Sequence, residues 1–254
     1  MNDAVFPALE ALTPDDCKIP PKDTVPTPKE LAKMIVLPSN AGWTISESAK
    51  ELFDRIAATH ELFLRGGKIM KLAEDEQGRL ILDIVSPESF CSLIEKYGRP
   101  YTFRASDDGK QELKSSNCSI ETAAKLLACD ENRRLPHVRG LHSCPVLADV
   151  AGVPCVLSKG YHSVNGGIII TGGDPPIELQ INEAIQALKE IVSEFDFLSP
   201  SDRSRALASL LTPALMAGGW IKGHAPIDVA EANASQSGKT YRQKNVFALY
   251  NESP

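Results

Sequence analysis

The sequence predicts a mixed α/β chain: small sheets with helices, then a helical pair, then the opening strand, loop and helix of one further unit. Three observations predict it. Short apolar runs of strand length, punctuated by Gly and Pro, fill much of the first two thirds. Ile181, Ala184, Ile185, Leu188, Ile191 and Val192 then recur at helical spacing. Finally, an apolar run over 225–230 leads through small residues to Gly238-Lys239-Thr240 and another amphipathic stretch.

The elements follow in chain order. Residues 1–40 hold Pro7, Pro14, Pro20, Pro21, Pro26, Pro28 and Pro38, so an irregular arm is expected, with at most a helical turn over 29–35. Residues 46–64 read as a helix, with Ser46 as cap and Ala49, Leu52, Phe53, Ile56 and Ala57 as its apolar face. Gly66-Gly67 break it. Residues 68–72 and 79–85 read as a hairpin joined through 74–78. Ser86-Pro87-Glu88 opens a helix to about Lys96, because Pro suits a first turn. A strand is expected over 101–105, a polar loop over 107–116 and a short helix over 119–128. Residues 141–148, 152–158 and 166–171 suit a second small sheet. Residues 177–195 form the clearest helix. Pro200-Ser201-Asp202 starts another, closed by Gly218-Gly219, and the two are expected to pack antiparallel. The domains expected are an arm at 1–40, an α+β region at 41–175, the helical pair at 176–220 and an incomplete last unit at 221–254.

Composition narrows the function classes. Of 254 residues, 43% are apolar and 24% charged, which suits a folded chain and argues against disorder or a long coiled coil. No run approaches the roughly eighteen apolar residues of a membrane span, and no secretory signal is visible in the opening residues. The 27 basic and 33 acidic residues give a net charge of −6, which excludes a simple polyanion binder while allowing a local basic face. Cys17, Cys91, Cys118, Cys129, Cys144 and Cys155 form no CxxC pair, so reduced thiols in a cytoplasm are expected.

One motif carries chemistry. An apolar strand over 225–230, a loop of small residues, Gly-Lys-Thr and a helix stand in the order of a phosphate-binding P-loop. Backbone N–H groups must close around a β-phosphate, so the side chains there must be small. Asn233, Ala234, Ser235, Gln236, Ser237 and Gly238 meet that need, and the helix start at Tyr241 adds its positive dipole end. Lys239 is placed to neutralise the β- and γ-phosphates of ATP, and Thr240 to hold Mg²⁺ through its hydroxyl. Asn233 stands where the usual motif has Gly; among non-glycine residues Asn tolerates positive φ best. The competing reading is a chance triplet in a surface turn. A working ATPase also needs an acidic strand end for Mg²⁺ and usually an arginine finger. The stretch from Tyr241 to Pro254 is too short for either, so the chain is expected to be the front part of a longer protein or no ATPase by itself.

Three segments resemble the region leading into the ATPase core of phage- and plasmid-type primase-helicases. They are Val146 to Tyr161, running into Lys159-Gly160-Tyr161-His162; Phe195-Asp196-Phe197 with Ser201-Asp202 and Leu210-Leu211-Thr212-Pro213; and Ala225-Pro226 to Tyr250, containing Gly238-Lys239-Thr240 and Ala248-Leu249-Tyr250-Asn251. The hairpin region 62–85 is compatible with such proteins. The resemblance implies a replication-associated, ATP-dependent DNA helicase working as a homo-oligomeric ring, truncated here after the Walker A motif. Only Gly238, Lys239 and Thr240 match a functional motif residue by residue. The alternative is a non-catalytic module over 41–220 that binds DNA or a partner, followed by a vestigial P-loop. A weaker third is a nucleotide-binding regulator that does not hydrolyse ATP.

Other clusters carry less. His137, His142, Cys144, Cys155 and His162 fit no common zinc spacing. Arg133, Arg134, His137 and Arg139, with Tyr161 and His162, suit either a nucleic-acid backbone or a solvated loop, the latter weighing more. Lys222, His224, Arg242 and Lys244 read as surface residues, and Trp43 and Trp220 as packing residues. No GxSxG or HExxH occurs.

Overall fold

The computed structural model describes residues 34–106, 110–225, 227–229, 231 and 238–250. The fold is mixed α/β, as expected, and it divides into two compact units, Met1–His137 and Val138–Pro254. The boundary falls inside the stretch 41–175 that the sequence reads as one α+β region.

In the first unit, strand β1 (Met34–Val36) lies parallel to β5 (Arg99–Ala105), and β6 (Gln111–Ser115) pairs antiparallel on the other side of β5. Residues 34–36 are therefore sheet, not irregular arm or helical turn; burial of Ile35 and Leu37 holds them there. The expected loop over 107–116 contains β6. That strand is an exposed edge held through its backbone, so it shows no apolar alternation.

Helix α1 (Ile45–Ala57) is capped by Thr44 rather than Ser46. The Thr44 hydroxyl accepts the Glu47 N–H at 3.3 Å, and the Glu47 carboxylate accepts the Thr44 N–H at 2.8 Å. The helix stops well short of residue 64. His60 takes a positive φ of 52°, and the consecutive buried residues Leu62, Phe63 and Leu64 enter strand β2 (Leu62–Arg65).

Gly66 and Gly67, at φ 56° and 75°, make the tight turn into β3 (Lys68–Glu74), and β4 (Leu80–Ile84) completes an antiparallel sheet ordered β2-β3-β4. Helices α2 (Pro87–Tyr97) and α3 (Ile120–Ala128) start at the serine caps Ser86 and Ser119. Leu52, Phe53, Ile56, Phe90, Ile94 and Leu126 fill the core between them.

The second unit holds two small sheets where one was expected. Strands β7 (Gly140–His142), β10 (Gly160–His162) and β11 (Ile168–Ile170) form one, with β11 central and all three isoleucines buried. Strands β8 (Val146–Val150) and β9 (Val153–Leu157) form a separate hairpin. Helix α4 (Ile181–Ile191) begins after residue 177. Ile177 and Ile181 are 85% and 74% exposed, so the first half of the apolar stripe faces solvent. Only its end, at Leu188, Ile191 and Val192, packs with Ala206, Leu207 and Leu210 of helix α5 (Pro200–Ala217). The pair meets at one turn rather than along its length.

The expected buried strand over 225–230 is not seen among the described residues: 225 and 227–229 are irregular, Ile227 and Val229 are 90% and 71% exposed, and 226 and 230 lie outside the described residues. A strand is buried by neighbouring strands, and no described strand pairs with this one. Helix α6 (Lys239–Leu249) is the last described element, with Tyr250 as its C-cap.

Candidate functional site

Helix α6 starts within the Gly-Lys-Thr triplet. Gly238 is its N-cap at φ 82°, left-handed, and a Cβ there would come within 3.3 Å of the Phe195 ring. Backbone conformation and space both favour glycine. The first intrahelical bond runs from the Arg242 N–H to the Gly238 carbonyl at 2.8 Å. The N–H groups of Lys239, Thr240 and Tyr241 precede it and have no place in the helical ladder. Among the described residues no side chain caps this end, and the first turn contains no acid. Exposed donors at the positive end of a helix dipole suit an anion. Lys239 and Thr240 are exposed beside them.

Of the sequence-predicted residues, Gly238, Lys239, Thr240 and Tyr241 therefore stand together at one helix start. Asn233, Ala234, Ser235, Gln236 and Ser237 lie outside the described residues. Tyr241 is 65% exposed and rests against Phe195, ring centroids 6.2 Å apart, and Phe195 in turn meets Phe197 at 6.2 Å.

Sequence reading missed how α6 is held. Arg242 is not a plain surface residue: its side chain is only 11% exposed and bonds Asp228 at 2.6 Å and the Ser209 hydroxyl at 3.3 Å. It ties the helix to the segment before the loop and to α5. At the other end, the Tyr250 hydroxyl donates to the Leu210 carbonyl and accepts the Ala214 N–H at 3.3 Å. Residues 210 and 214 are the partners a regular helix joins directly. The hydroxyl thus enters the α5 ladder beside Pro213, which has no N–H to give. The Tyr250 carbonyl accepts the Ser143 hydroxyl at 3.1 Å. Burial pushes the Tyr250 phenol above its ordinary range, partly offset by the Ala214 N–H. No local sequence signal marks these pairs, because the partners lie 14 to 107 positions away.

A largely apolar cavity of about 220 Å³ lies under this end of α6, lined by His142, Cys144, Pro213, Ala217, Phe247 and Tyr250 among others. Among the described residues, no three or more His, Cys, Asp or Glu converge as metal ligands. Much of the basic cluster is engaged in ion pairs. Arg134 bonds Asp54 and Glu131, both at 2.9 Å, and Arg133 bonds Asp130 at 3.2 Å. Among the described residues, no helix is long and apolar enough to cross a membrane. Trp220 donates its indole N–H to the Leu147 carbonyl at 2.8 Å.

No family model, curated protein or solved structure matches this chain. The chemistry of the site rests on its own residues.

Proposed function

We propose that this chain belongs to an ATP-dependent DNA helicase or primase-helicase of the phage and plasmid replication type, with Gly238, Lys239 and Thr240 at its phosphate-binding turn. The observation that carries the reading is the start of α6: a left-handed Gly238, then Lys239 and Thr240 in the first turn with their backbone donors outside the helical ladder. In this reading the backbone amides and Lys239 hold the β- and γ-phosphates, Thr240 supplies a hydroxyl to Mg²⁺, and Arg242 fixes the helix start by gripping Asp228. The helix start makes the phosphate a good ligand; movement on DNA and ring assembly belong to the resemblance.

A second reading has its own observation. Ile227 and Val229 are exposed where a P-loop protein has a buried strand. This favours a DNA- or partner-binding module with a vestigial P-loop. DNA binding by the chain with and without ATP and Mg²⁺ separates them. The helicase reading expects nucleotide to change DNA affinity in the parent and not in Lys239→Ala. DNA affinity indifferent to nucleotide in both proteins would favour the binding module.

A further inference from the structure

Strand β4 is an edge of its sheet, and the register fixes which of its backbone groups face outward. The Val85 N–H donates to the Ile69 carbonyl at 3.0 Å, and the Asp75 N–H donates to the Arg79 carbonyl at 2.9 Å. Hydrogen-bonded positions alternate along an antiparallel pair. Arg79, Ile81, Asp83 and Val85 therefore turn their backbone groups to β3, and Leu80, Leu82 and Ile84 turn theirs outward. The opposite edge follows the same parity: Leu64, paired with Ile69, donates outward to the Pro136 carbonyl at 2.9 Å. That edge is covered. Among the described residues no strand covers β4.

The side chains do not defend this edge. Leu80, Ile81 and Ile84 are 39%, 40% and 56% exposed. Natural edges carry Lys, Pro or a bulge to prevent pairing. Here the single charge, Asp83, lies 3.8 Å from Lys71 on the neighbouring strand.

We propose that β4 is an interface between two copies of this chain, each pairing its β4 antiparallel with the other's. Centred on Leu82, the pairing sets Leu82 against its own copy, Leu80 against the partner's Ile84 and Ile81 against the partner's Asp83. Every outward N–H and C=O of these positions then meets a complement, because the parity is the same on both copies. The apolar row Leu80, Leu82 and Ile84 continues across the junction on one face. Each Asp83 keeps its own Lys71 and faces an uncharged Ile81. No like charges stand directly opposed, which matters for a chain of net charge −6. The two-fold contact is self-complementary and closes at a dimer. It does not depend on the phosphate-binding reading.

Sedimentation velocity on the full chain over roughly 1–100 µM tests this. The parent is expected to form a dimer. Leu82→Pro removes an outward N–H and no bond to β3, a position where an edge strand tolerates proline. It is expected to sediment as a monomer with the parent's circular dichroism. Ile84→Lys leaves the backbone whole and is expected to weaken the dimer about tenfold or more. It decides the matter should Leu82→Pro fail to fold. A parent that stays monomeric throughout, or folded variants that dimerise as tightly as the parent, would overturn the proposal.

Discussion

Tyr250→Phe is the sharpest probe of how α6 is seated. The substitution keeps the ring and deletes one oxygen, which donates to the Leu210 carbonyl and accepts from the Ala214 N–H. Each such bond contributes about 0.5–1.5 kcal/mol net. The site is half-buried, and Leu210 and Ala214 can partly rejoin each other once the oxygen is gone. The expected loss is therefore about 1–2 kcal/mol for the second unit. Trp220 bonds Leu147 in that unit and reports on it, provided Trp43 of the first unit is replaced by Phe. In urea the midpoint should fall by about 0.5–1 M. The pH dependence has a definite sign. The folded phenol titrates above its unfolded value, so its stabilisation is complete below about pH 10 and is lost as pH rises through the folded value. The gap between parent and Tyr250→Phe should accordingly shrink above about pH 10. Tyr161, raised by burial as well, is present in both proteins and cancels in the comparison. An unchanged midpoint at neutral pH, or a gap that widens in alkali, would refute the role assigned to this hydroxyl.

Two further outcomes follow from the packing. At Gly218 a Cβ would overlap the Leu147 carbonyl, while the Gly218 carbonyl accepts the Asp149 N–H at 3.0 Å and the Asn165 side-chain N–H at 2.7 Å; Gly218→Ala should cost about 1–3 kcal/mol in the same urea assay, and a neutral result would contradict this joint. Burial, with a smaller contribution from Cys91, pushes the Cys118 thiol up to about 12. Its thiolate fraction at neutral pH is then well below that of an ordinary cysteine. Mass-spectrometric mapping of alkylation should find it slow in the native chain and fast in urea, and equal rates would show the thiol is not shielded.

The legible parts of the fold were those with local signals. Ser86-Pro87 and Ser119 mark helix starts by their own chemistry, and the β3–β4 hairpin shows in two apolar runs around Gly78. Strand β6 was not legible because an exposed edge held by backbone bonds needs no apolar pattern. The early end of α1 was hidden because Leu62, Phe63 and Leu64 extend its apolar stripe while being fully buried on a sheet. In the candidate site, Gly238, Lys239 and Thr240 were legible as a motif. The grip of Arg242 on Asp228 and of Tyr250 on α5 was not, because those pairs are made only by the fold. The apolar run over 225–230 misled for the opposite reason: its pattern suits a buried strand, and no described strand covers it.

Equilibrium binding of ATP, with and without Mg²⁺, to the parent chain and to Lys239→Ala tests for a phosphate site at the start of α6. Saturable binding is expected, strengthened by Mg²⁺ and weakened about tenfold or more by Lys239→Ala, with the fold intact by circular dichroism. A parent that binds no ATP, or a Lys239→Ala chain that binds it as tightly as the parent, would contradict a phosphate site at the start of α6.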